Sequence, residues 1–163
     1  AELIQFLQEN YTAATLDALE ALRTTYDDSV VPHLFRFIDA VGSQIDYMPD
    51  LETRLLNKAS QLLIDIGSPA ISQDLISILK KGGTFFMKEK IIEILASFRD
   101  SSCVPVFIES LQEPNLRQTS ASALEKLGEV ALPHLELLVK DGKRSDRKLA
   151  KQIITRIKSS PME

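Results

Sequence analysis

The sequence contains no tryptophan, only three tyrosines and two histidines, and a single cysteine, Cys103. One cysteine excludes a disulfide bond within the chain and leaves a reducing, cytoplasmic location as the expectation. The scarcity of tryptophan and tyrosine leaves few rings on which a nucleic-acid base could stack. No apolar run approaches the roughly 20 residues of a membrane-spanning helix, and the acidic, polar first residues do not fit a secretory signal. We therefore expect no membrane insertion.

What the chain has in quantity is aliphatic and charged side chains. Its 163 residues are 44% hydrophobic and 26% charged, which is typical of an ordinary globular protein rather than a disordered one. The length fits one domain, covering residues 1–163. Because the chain begins with Ala1 rather than Met, we expect this domain to be processed or to be excised from a longer protein.

Charge is distributed unevenly along the chain, whose net charge is −4. Residues 1–50 hold nine acidic and two basic side chains, whereas residues 140–158 hold eight basic and two acidic ones. The basic cluster consists of Arg144, Arg147, Lys148 and Lys151, at the start of the last predicted helix. Cations there oppose the helix dipole by roughly a few tenths of a kcal/mol each, so local stability does not explain them. Either they form a solvated face or they meet an anionic partner.

The spacing of apolar residues predicts an all-α protein. The stretch 116–140 shows the pattern best, because Ala121, Leu124 and Leu127 form one apolar stripe before Gly128, where a left-handed residue can end the helix. Pro133 then begins a second helix carrying Leu135, Leu138 and Val139. The predicted helices cover residues 2–9, 12–25, 30–42, 50–66, 70–81, 85–98, 103–112, 116–127 and 132–140. A last predicted helix is capped by Ser145 or Asp146 and ends near residue 158. Its core stripe consists of Leu149, Ile153, Ile154 and Ile157.

Four prolines start the second helix of each predicted pair, and aligning the helices on them exposes a repeat. The prolines are Pro32, Pro69, Pro105 and Pro133. Two residues after each proline stand Leu34, Ile71, Phe107 and Leu135, and six residues after it stand Ile38, Leu75, Leu111 and Val139. The fourth position is mostly polar and holds Arg36, Gln73, Glu109 and Leu137. Positions two and six share one helix face, so we predict a common core and an exposed fourth position.

These units resemble the short HEAT repeat first noted in phycobilisome lyases. Arg117, Ala121, Leu124 and Gly128 match its pattern of arginine, small residue, leucine and turn glycine. Residues 54–79 match more loosely, and the 88–111 unit has Phe98-Arg99-Asp100 in place of the turn glycine. The resemblance implies an armadillo-like α-α superhelix, or solenoid, of about four HEAT-like pairs. It also implies that the proline-started helices line a concave, protein-binding surface. It does not imply lyase activity, because packing residues define the family.

The candidate binding residues follow from that surface and from the basic cluster: His33, Arg36, Asp39, Gln73, Glu109, His134, Arg144, Arg147, Lys148 and Lys151. His33 and His134 occupy one repeat position and could form an acid–base pair or ligate a metal. Common descent of the repeats explains them better, because equivalent positions two or more repeats apart are too distant to share an ion. We expect Cys103 to be buried among apolar residues. No catalytic, cofactor or metal site is predicted.

The sequence therefore indicates a non-enzymatic scaffold for protein–protein interaction, or a regulatory repeat domain, with a partner that it does not name. Self-association of the acidic N-terminal and basic C-terminal ends is one alternative. An enzyme or enzyme-associated protein is another, either a chromophore-lyase-like chaperone or a nucleic-acid-binding base-excision type. The acidic net charge and the lack of stacking aromatics argue against nucleic acid. Finally, Phe85, Phe86 and Met87 cannot all face one core, so at least one should be exposed or contact a neighbouring segment.

Overall fold

The computed structural model describes residues 13–25, 30–42, 49–67, 71–82 and 84–159, and these ranges contain helices, turns and no β-strand. The predicted all-α class is confirmed. The predicted helix over residues 2–9, Pro69 and most of the loop 43–50 lie outside the described residues. The helices are α1 (Ala13–Thr25), α2 (Val31–Gly42), α3 (Pro49–Ile66), α4 (Ser72–Lys81), α5 (Phe85–Ser97), α6 (Val104–Ser110), α7 (Arg117–Leu127), α8 (Leu132–Asp141) and α9 (Arg144–Ser159).

The chain divides into two compact units, residues 1–94 and 95–163, with the boundary inside α5. In the first unit, α3 packs against both α1 and α2. In the second unit, α6 packs against α7 and α8, and α9 packs against α7 and α8. Helices thus contact both the next helix and the next but one, which is how stacked helical pairs bury their apolar faces. The superhelix and the single domain stay predictions.

The proline register is largely confirmed by burial. Pro32, Pro105 and Pro133 lie in the first turn of their helices. An N–H group there has no acceptor within the helix, so proline breaks no helical hydrogen bond. Six of the eight apolar side chains at positions two and six are buried: Leu34, Phe107, Leu135, Ile38, Leu75 and Leu111. The other two, Ile71 and Val139, are half-buried. All four residues at the fourth position are exposed, as predicted.

The turns after four of the helices contain a residue with positive φ. Gly67 follows α3 with φ +63°, Gly82 follows α4 with φ +108°, and Gly128 follows α7 with φ +66°. Gly128 has ψ −135°, which differs from the left-handed helical value that we predicted and lies near a region essentially restricted to glycine. After α5 the turn contains Arg99, with φ +52°. An arginine therefore takes the positive φ that a glycine supplies in the other three turns.

Polar contacts tie helices together within each unit. Arg23 pairs with Asp65 at 3.1 Å, and Lys58 pairs with Glu20, so that α1 is linked to α3. The hydrogen bond and the charge of Lys58 lower the pKa of the Glu20 carboxyl below its ordinary value. In the second unit, Arg117 Nε donates to the carbonyl oxygen of Leu111 at 3.2 Å, which satisfies a backbone acceptor just after the end of α6.

Two details of the last helices differ from the prediction made from the sequence. Helix α9 begins at Arg144, so Ser145 and Asp146 lie inside its first turn and neither is the cap. The Ser145 hydroxyl donates to Asp146 at 3.0 Å instead. The face that α9 buries is centred on Ala150, Ile153 and Ile157. Its predicted partners Leu149 and Ile154 are half-buried, as is Leu138 in α8.

Candidate functional site: two grooves and a basic cavity

The first unit contains a groove between two proline-started helices, which we call the α2–α4 groove. Its volume is about 240 Å³. Helix α2 contributes Val31, Pro32 and Arg36. The later helix and the residue before it contribute Ile71, Asp74, Ser77, Ile78 and Lys81. The lining therefore combines an apolar floor with two cations and one carboxylate.

The second unit contains a corresponding groove, which we call the α6–α8 groove. Its volume is about 360 Å³. Helix α6 contributes Pro105 and Ile108, and the later helix contributes His134, Leu137, Leu138, Asp141 and, just past its end, Gly142. Leu137 is 58% exposed, which is unusual for a leucine next to other apolar side chains. This groove is more apolar than the α2–α4 groove, because Arg36 and Lys81 have no cationic counterpart in its lining.

Both grooves are built from the same repeat positions. The proline of the earlier helix lines each groove, as Pro32 in one unit and Pro105 in the other. From the later helix, the residues five, eight and nine positions after the aligned proline line both grooves. In α4 these are Asp74, Ser77 and Ile78, and in α8 they are Leu138, Asp141 and Gly142. The two units therefore form a groove at the same part of the repeat.

A third recess, which we call the basic cavity, lies between α8 and α9. Its volume is about 420 Å³, and its lining consists of Val139 and the four predicted cations Arg144, Arg147, Lys148 and Lys151. The four cations are exposed. Within the described residues, none of the four has an ion-pair partner; the ion pairs of α9 involve Arg156 with Glu125 and Lys158 with Glu136 instead. The basic cluster is thus brought together around one opening.

The other predicted binding residues divide into two groups. Arg36 lines the α2–α4 groove and His134 lines the α6–α8 groove. Asp39, Gln73 and Glu109 are exposed but line neither groove, and His33 is half-buried and lines neither. Because sequence reasoning assigned apolar side chains to the core, it did not include Ile108, Leu137 or Leu138 among the candidates. A usable signal was present at Leu137, an apolar residue at the fourth position, where the other repeats are polar.

Cys103 and the segment from Phe85 to Met87 agree with the sequence-based predictions. Cys103 is fully buried at the end of a 3-10 turn. Met87 is buried, whereas Phe85 and Phe86 are each 39% exposed, with ring centroids 4.5 Å apart. Over the described ranges, no group of three or more His, Cys, Asp or Glu side chains is placed to hold a metal ion. No helix in the same ranges has both the length and the apolar character that crossing a membrane requires.

Comparison with known proteins gives no independent assignment. No protein-family model matches the chain, and a search of curated proteins finds no similar sequence. The resemblance to HEAT repeats therefore stays a prediction, carried by the residues of the repeat itself.

Proposed function

We propose that this chain is a HEAT-like protein-interaction domain, acting as a scaffold or as a regulatory repeat segment. Its binding surfaces are the α2–α4 and α6–α8 grooves. The single observation that carries the proposal is that both grooves use the aligned proline and the same three positions of the following helix. A groove that recurs at the same repeat positions suits a peptide or protein partner. The cytoplasmic location expected from the sequence belongs to this proposal.

The α6–α8 groove is the stronger of the two surfaces. An exposed leucine is favourable once it is covered, and fully burying such a side chain contributes about 1.5–3 kcal/mol. Leu137 therefore supplies an anchor contact, while His134 and Asp141 at its borders supply hydrogen-bonding groups. The α2–α4 groove, with Arg36, Asp74 and Lys81, favours a polar segment of the partner. Each groove taken by itself suits an extended or helical protein segment rather than an enclosed small-molecule site.

A peptide-display selection on the intact chain tests this proposal. We expect selected peptides to carry an apolar anchor and to shift the amide resonances of α6 and α8 on binding. Leu137→Asp should weaken the binding of these peptides at least about tenfold, since it replaces an anchor contact with a buried charge. Val130→Asp is the matched control, because Val130 is also an exposed apolar residue, at 48%, and does not line either groove.

Equal losses for the two variants would contradict the proposal. So would selected peptides whose resonance shifts lie away from both grooves. A selection that returns no peptide above background would also count against it, because an open groove of this kind should accept at least one short ligand.

A further inference from the structure

The basic cavity combines two features that stability alone does not favour. Arg144, Arg147, Lys148 and Lys151 follow a spacing of three, four and seven residues, so they share one face of α9 over two turns. Like charges at these spacings repel one another, and Arg144 and Arg147 stand in the first turn of the helix, where the dipole opposes positive charge. Within the described residues no carboxylate forms an ion pair with any of the four cations. Something outside the described chain has to compensate this arrangement if it is to be favourable.

We propose that the basic cavity binds an acidic peptide segment of a protein partner. This inference rests on the proposed protein-binding function and names the chemistry of one partner segment. The four cations span about 10 Å along the helix axis, at about 1.5 Å per residue. An extended peptide covers that length with three to four residues, at about 3.3 Å each. A short run of aspartates and glutamates can therefore place a carboxylate near each end of the cation row.

Val139 favours a peptide as the ligand. It is the one residue that α8 contributes to the cavity lining, and it is half-buried, so it offers an apolar contact beside the four cations. A leucine or valine between the acidic residues of a peptide can use that contact. Among the residues that the structure describes, no aromatic side chain lines the cavity to stack a base.

The charge surrounding the cavity supports the same choice. Residues 95–163 hold eleven basic and nine acidic side chains, so this unit as a whole carries only a small positive net charge. Nucleic-acid interfaces use a broader basic face, because they neutralise many phosphates along a strand. A compact row of four cations on one helix fits a short acidic segment better.

The test measures binding of a fluorescein-labelled synthetic peptide, in which aspartates and glutamates surround one leucine, to the intact chain by fluorescence anisotropy. We expect saturable binding that weakens strongly between about 0.01 M and 0.15 M salt, as the Debye length falls from about 30 Å to about 8 Å. Reversing two cations, Arg147→Glu with Lys148→Glu, should weaken binding at least tenfold, or about 1.4 kcal/mol. The milder pair Arg147→Gln with Lys148→Gln should weaken it in the same direction and by less.

The matched control is Lys126→Glu with Lys140→Glu, which makes the same change in net charge at two exposed residues outside the cavity lining. We expect the control to retain binding within about threefold, because it keeps the local cation row. Circular dichroism of every variant separates lost binding from lost folding. A peptide whose leucine is replaced by serine should bind more weakly to the native chain, if Val139 contacts that leucine.

Several outcomes would overturn the inference. Equal losses for the cavity pair and the control pair would show that only net charge matters. Tighter binding of single-stranded DNA of the same net charge would assign the cavity to nucleic acid. A monomer–dimer equilibrium in sedimentation velocity, abolished by the cavity pair, would assign it to the acidic part of a second copy. If the acidic peptide does not bind while the display-selected peptides still require Leu137, this inference is refuted. The proposed function would then still stand.

Discussion

The register of the second helices can be tested with one amino-acid change at two positions of the same helix. Leu135→Ala and Leu137→Ala are chemically identical substitutions in α8, two residues apart. Leu135 is fully buried at position two, whereas Leu137 is 58% exposed at position four. Because helix propensity changes equally in both variants, their difference in stability isolates burial.

The expected magnitudes follow from the exposures. Truncating leucine to alanine removes about three carbon atoms, worth about 2.4 kcal/mol at about 0.8 kcal/mol for each buried methylene. At Leu135 an enclosed cavity adds to this loss, giving an expected destabilisation of about 3–4 kcal/mol. At Leu137 less than half of the transfer free energy applies and no enclosed cavity forms, so we expect about 1 kcal/mol or less.

Urea denaturation followed by far-ultraviolet circular dichroism gives the free energies of unfolding. Native-state hydrogen exchange of the α8 and α9 amides then shows whether the loss of stability lies in the second unit. Helix α8 belongs to that unit and packs against α6 and α9. Equal destabilisation by the two variants would refute the assignment of position two to the core and position four to the surface. A larger loss at Leu137 would reverse it.

Three further perturbations address the turns and the electrostatics. Gly128→Ala should destabilise the chain by about 1–3 kcal/mol in urea denaturation, because a Cβ there meets no atom within 4 Å and only the backbone conformation is penalised. The reverse change, Arg99→Gly, should stabilise it by up to about 1 kcal/mol, since relief of the left-handed conformation exceeds the added chain entropy; a loss of stability would contradict this reading of the turn. Lys58→Met should raise the pKa of Glu20 toward its ordinary value of 4.5, because the hydrogen bond and charge of Lys58 hold it low, and an NMR pH titration measures this. Since the pKa of Glu20 is lower in the folded state, the stabilising contribution of Glu20 is present above pH 4.5 and is lost as the pH falls through the lowered pKa. The difference in unfolding free energy between the native chain and Lys58→Met should therefore shrink over that pH range. An unchanged pKa of Glu20 in the variant would show that Lys58 is not the cause.

Helix positions could be predicted from the sequence because local signals agree with one another. At α7 the stripe of Ala121, Leu124 and Leu127 is followed directly by Gly128, so periodicity and turn chemistry end the helix at the same place. At α9 the signals conflict: Leu149 and Ile154 are as apolar as Ile153, and a spacing of three or four residues permits two overlapping stripes. Packing against α7 and α8 selects the stripe centred on the small residue Ala150, which no local pattern indicates.

The candidate site could be predicted only in part, because packing between helices decides which apolar side chains are buried. A cluster of like charges is visible in a sequence, so the basic cavity was expected at the residues that line it. An apolar groove is not visible, because a half-buried leucine such as Leu138 and a core leucine such as Leu124 look alike before the helices are placed. Ile71 and Val139 illustrate this, since both follow the core register and both line an open recess instead.

Position four of the second helix explains how one repeat can present different surfaces. Positions two and six are apolar in every unit and mostly buried, whereas the fourth side chain meets solvent and is free to vary. In the α2–α4 groove the earlier helix supplies Arg36 from this position, and in the α6–α8 groove the later helix supplies Leu137. Successive residues of a helix are about 100° apart, so Val139, two positions further on, faces the other flank of α8 and the basic cavity. One helix thereby separates an apolar surface from a cationic one, and a partner with an apolar anchor next to an acidic run could contact both flanks without any change in the core.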